Sequence, residues 1–120
     1  MSSPPADAVT GADFLHLPDV AQLMPDVPPD SIVSRTVIDD PAVKVVLFGF
    51  AAGQSLSEHT ASRPAVLHFL TGHADLTLGE QHLEAGPGTW VHMPPQLPHG
   101  VRARDEVRML LLLLGPAGGS

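Results

Sequence analysis

The chain predicts an all-β fold, a sandwich or barrel of short strands preceded by one short helix. Two observations carry this. After the Pro28-Pro29 break, the sequence divides into eight or nine apolar-rich runs in about 85 residues, separated by Gly- and Pro-bearing turns. Only one earlier stretch, Phe14 to Met24, spaces its apolar residues to suit a helix. So many strands at so close a spacing argue against an alternating βαβ fold.

That helix is expected to begin near Pro18-Asp19, with Leu15, Leu17, Val20, Leu23 and Met24 as its apolar positions, and to end at Pro25. The strands expected to follow are Ser31–Ile38, Val43–Phe50, Leu56–Thr60, Ala65–Leu70, Ala74–Leu78, Gln81–Glu84, Thr89–Met93, His99–Ala103 and Val107–Leu114. In Ala74–Leu78 the alternation is clean: Leu76 and Leu78 face one way, Asp75 and Thr77 the other. Val43–Phe50 and Val107–Leu114 are apolar on both faces. Such strands need cover on their outer side, from the N-terminal segment or a second subunit, and a homodimer is therefore expected.

With 120 residues the chain supports one core, and hence one domain. Residues 1–12 and 116–120, rich in Ser, Pro, Ala and Gly, are expected to be a flexible arm and tail around a domain at 13–115. Apolar residues make up 43% of the chain, but aromatic residues only 4%, so the core is aliphatic. Thirteen acidic residues against six basic ones give a net charge of −7, which repels phosphate backbones and anionic membranes. Without cysteine, any metal must be held by nitrogen and oxygen ligands. The N-terminus lacks the pattern of a signal peptide, and the apolar run Met109–Leu114 is too short to span a bilayer, so a soluble, cytoplasmic protein is expected.

The segment Gly88-Thr89-Trp90-Val91-His92-Met93-Pro94-Pro95-Gln96-Leu97-Pro98-His99 spaces a turn glycine, two loop-stiffening prolines and a histidine that opens the next strand. In that strand His99, Val101 and Ala103 share one face and Arg102 shares the other with Arg104, so period two sends His99 inward if the arginines meet water. This segment resembles the second motif of the cupin family. A degenerate form of the family's first motif precedes it, with Gly53, His59 and Gly72 in their places but Ala61 where a second histidine is usual and Ala65 where a glutamate is usual. The resemblance, to a small single-domain cupin of the second type, implies a jelly-roll barrel and carries over two of four customary metal ligands, His59 and His99.

Two further histidines are candidates to complete a site. The resemblance implies that the strands bearing His68 and His92 are neighbours. If both histidines face inward, up to four imidazoles meet, suited to a divalent Zn, Fe, Ni, Mn or Cu ion; if outward, they belong to the covered sheet face or a dimer interface. His16, His73 and His82 read as exposed and without a role, and Glu58, opposite His59 by alternation, as a surface acid. Gln96 either touches a ligand or caps its loop, and Arg63, expected at the barrel mouth, is a candidate for attracting an anion. Two functions follow: a metalloprotein acting on a small organic molecule by oxygenation, isomerisation, decarboxylation or lyase chemistry, or a non-catalytic binding or sensing module that needs no metal.

Overall fold

A computed structural model of the protein describes residues 9–10 and 14–115. Eleven strands follow one another: β1 (Val9–Thr10), β2 (Leu15–His16), β3 (Ile32–Asp39), β4 (Val43–Phe50), β5 (Ser55–His59), β6 (Ala65–Thr71), β7 (Ala74–Leu78), β8 (Gln81–Ala85), β9 (Trp90–Met93), β10 (His99–Ala103) and β11 (Val107–Leu114). The nine strands expected after Pro29 are all present, within about a residue at each end. The expected helix is reduced to one 3-10 turn, Val20–Leu23, capped by the Asp19 side chain, which accepts from the Ala21 N–H at 3.2 Å. Prolines at 18 and 25 leave room for little more than a turn between them. The expected arm at 1–12 and tail at 116–120 lie outside the described residues, apart from Val9–Thr10, which pair with Leu15–His16.

Two antiparallel sheets form the barrel, one ordered β3-β4-β11-β6-β9 and the other β5-β10-β7-β8. Between them lies the main core. Phe50, Phe69, Val107, Ala74 and Ala103 close one end with at most 1% exposure, while Leu78, Leu97, Leu111 and Leu113 are only partly buried. Register places two of these leucines towards the other end: Leu113 pairs with Ala65, Ala65 with Met93, and Leu78 with His99. Both ends mix tightly and partly buried residues: Ala65 and Met93 are buried beside Leu113, and Ile32, paired with Phe50, is partly buried.

The two strands apolar on both faces find cover on their outer side. Leu23, Met24 and Val27 pack over Leu47 of β4, with Leu70 of β6 and Leu110 of β11 beside them. Arg108, on the outer face of β11, donates to the Met24 carbonyl at 2.7 Å and the Pro25 carbonyl at 2.8 Å, and Arg35 of β3 donates to the Leu23 carbonyl at 3.1 Å. This strap of N-terminal chain is thus held by apolar contact and by two guanidinium groups donating to its carbonyls. Among the described residues no helix is long and apolar enough to cross a membrane.

Candidate functional site

His99 opens β10 and is 5% exposed, the one buried polar residue among those described. Its strand alternates as the sequence predicts: His99, Val101 and Ala103 are buried and Arg102 is exposed. His59, at the end of β5, is directly opposite His99 in the ladder. Simple alternation along β5 would not put it there, because Leu56 pairs with Val101 on the inner face and His59 is three residues further on. A β-bulge between the His99 and Val101 positions makes up the odd residue and brings His59 opposite His99, with His59 itself exposed at the strand end. Gly100 stands opposite the bulge, where an added Cβ would lie 3.3 Å from both the Glu58 nitrogen and the Leu56 oxygen. The backbone therefore closes over Gly100 more tightly than a side chain comfortably allows.

The two imidazoles lie with ring centroids 4.3 Å apart and planes inclined at 52°. Each is anchored in the same way, to the carbonyl two residues before it. The Nδ1 of His59 is 3.0 Å from the Ser57 oxygen and that of His99 is 2.9 Å from the Leu97 oxygen. A carbonyl only accepts, so each Nδ1 carries the hydrogen and donates. In the neutral ring this leaves both Nε2 atoms with lone pairs, the orientation that metal-ligating or hydrogen-bond-accepting histidines require.

The loops behind the two histidines are tied together. The Gln96 N–H donates to the Ala61 carbonyl at 2.7 Å, and Gln96 holds the left-handed conformation, with φ of 69°. Pro95 and Gln96 turn the chain just before Leu97, whose carbonyl anchors His99. Gln96 thus joins its loop to the other through its backbone.

His68 and His92 are not brought to this pair. On β6, Ala65, Leu67 and Phe69 belong to the inner core, so Val66, His68 and Leu70 take the outer face. His92 pairs with Val66 and Trp90 with His68, which puts all of them on the outside of the five-stranded sheet. There Trp90, 60% exposed, stacks on His92 with centroids 6.5 Å apart. The Nδ1 of His68 is shielded and has no hydrogen-bond partner. Sequence reasoning left the face of these two histidines open because both sets of residues on β6 are apolar.

Ala61 and Ala65 supply no donor, and among the described residues no three His, Cys, Asp or Glu side chains come together as a metal site. Divalent first-row ions usually take three or more protein ligands. His59 and His99, the two donors that meet here among the described residues, fall short of that number.

Away from the pair, His73 forms a clasp between the β6–β7 and β10–β11 turns. Its N–H and its Nδ1 donate to the two carboxylate oxygens of Asp105, at 2.6 and 2.9 Å. On the outer face of the four-stranded sheet, the gap over Gly100 forms a shallow depression of about 340 Å³ flanked by Ser57, Glu58, Asp75, Thr77 and Arg102.

A family model for the cupin domain matches residues 46–115, more than half of the chain and all of the strands that build the site. The chain belongs to the cupin family. Solved cupin structures share its fold. A cupin superfamily protein from Desulfitobacterium hafniense has a TM-score of 0.75 and 24% identity, over 81% of this chain and 88% of its own. An RmlC-like cupin from Desulfovibrio desulfuricans has a TM-score of 0.66 and 28% identity, covering 74% and 89%. A DMSP lyase from Ruegeria pomeroyi has a TM-score of 0.68 and 21% identity, covering 76% of this chain and half of that one. No curated protein matches the chain.

Proposed function

We propose that this cupin binds a small organic molecule at the end of its barrel where β5 finishes and β10 begins, with His59 and His99 as the polar recognition pair. The observation carrying the reading is the shared anchoring of the two rings, which commits each Nδ1 to a carbonyl and leaves two neighbouring Nε2 lone pairs. Two adjacent acceptors beside Leu78, Leu97, Leu111 and Leu113 suit a molecule with a hydrogen-bond donor and an aliphatic portion.

The same lone pairs favour a second reading, in which a divalent ion is held by His59, His99 and oxygen atoms of the ligand. Such an ion supplies Lewis acidity when bound. Elemental analysis of the protein, before and after dialysis against chelator, separates the two. The binding reading predicts substoichiometric metal and a fold unchanged by chelation. Near-stoichiometric metal, lost in both His59→Ala and His99→Ala, overturns it in favour of the metal reading.

A further inference from the structure

We propose that the ligand is a small aliphatic monocarboxylate whose carboxylate is bound by Arg63; the inference rests on the binding reading above and names its ligand class. Arg63 lies in the loop between His59 and β6. The Leu114 N–H donates to the Pro64 carbonyl at 2.9 Å, continuing the β6–β11 ladder one residue beyond Ala65. Arg63 itself lies in the bend at Ser62–Arg63 just before that ladder, at the end of the barrel where the chain leaves His59. Its Nη2 donates to the carbonyl of Leu113, near the end of β11, at 3.2 Å.

The other arginines have work elsewhere in the fold. Arg104 pairs with Asp75 and Glu84, and Arg108 pairs with Glu106 and holds the strap with Arg35. Arg102 is on the outer face, paired with Asp75 across the β7–β10 ladder. Lys44 faces Asp39 across the β3–β4 hairpin. Arg63 alone joins a place at the His59 end of the barrel to the lack of any carboxylate within ion-pair reach among the described residues. Its Nε is shielded and has no partner, so the fold's own hydrogen bonds do not account for its place.

A half-buried guanidinium with unused donors is matched by a carboxylate, which accepts two parallel N–H bonds. The net charge of −7 works against ligands carrying several negative charges. The leucines receive the aliphatic part, and a hydroxyl on the ligand can donate to the free Nε2 atoms. A branched 2-hydroxy acid has all three features.

The test uses the full chain, isotopically labelled, titrated with 2-hydroxy-4-methylpentanoate and separately with its neutral primary amide, with binding followed by NMR at the His59 and His99 rings. The expected result is saturable binding of the acid at both rings, weakened about tenfold or more for the amide and for the acid against Arg63→Gln, one decade being the least that a lost charge-assisted bond costs. The acid–amide comparison needs no variant, so it holds even if Arg63→Gln unfolds. Equal binding of acid and amide at the two rings overturns the role of Arg63 and leaves the binding reading standing. Failure of both to perturb the rings overturns both.

Discussion

At the scale of single residues, strain and charge are where the fold can be tested. Gln96 occupies a backbone conformation that glycine accepts far more readily, with φ of 69°. Gln96→Gly is expected to stabilise the protein by about 0.5–1 kcal/mol in urea unfolding, leaving the Ala61 hydrogen bond intact because it uses the backbone. Two exposed carboxylates sit below their ordinary pKa. Asp75 is held there mainly by its hydrogen bonds from Arg104, and Asp105 by those from His73. A carboxyl with a lowered folded pKa stabilises the protein above its unfolded value, near 3.8, and loses that contribution as pH falls through the folded value. Urea titrations should therefore show Asp105→Asn losing less stability than the parent chain on acidification below that point, and the same stability loss in both would contradict the clasp.

Among the elements, β5 and the strap depend on glycines with no room for a side chain. A Cβ at position 100 meets backbone atoms of Leu56 and Glu58 at 3.3 Å, and backbone cannot rotate away. Gly100→Ala should cost about 1–3 kcal/mol and widen the separation of the His59 and His99 rings, read as loss of contacts between them in NMR. A Cβ at position 49 would run into the Met24 sulfur and lie 2.7 Å from a Val27 methyl. Gly49→Val should lift the strap from β4 and expose the Met24 amide to hydrogen exchange while the inner core stays protected. Leu47, fully buried beneath that strap, should cost about 2–5 kcal/mol as Leu47→Ala.

For the whole molecule, the strand order after Pro29 was legible because apolar runs bounded by turn residues mark each strand in the sequence itself. The motif glycines were legible for a physical reason too, since Gly53, Gly72 and Gly88 all take positive φ. The helix was overread: the apolar spacing over Phe14–Met24 serves a strap that lies on a sheet, so its residues need contact and not helical continuity. His99 could be placed from alternation with Arg102, but His59 reaches it through a bulge, which shifts the alternation and leaves no mark beyond Gly100. His68 and His92 share a face, as neighbouring strands allow, but which face depends on sheet packing, and strands apolar on both sides do not encode that choice.

The central claim is that two adjacent imidazoles are held with Nδ1 committed and Nε2 free, and imidazole nitrogen NMR reads this directly. Spectra would be taken on chelator-treated protein at about pH 8.5, where ordinary histidines are neutral. The account predicts that His59 and His99 both appear as the Nδ1–H form, with Nε2 unprotonated. An Nε2–H form at either ring would contradict it, because that ring could then neither accept a ligand's hydrogen bond nor hold a metal through Nε2.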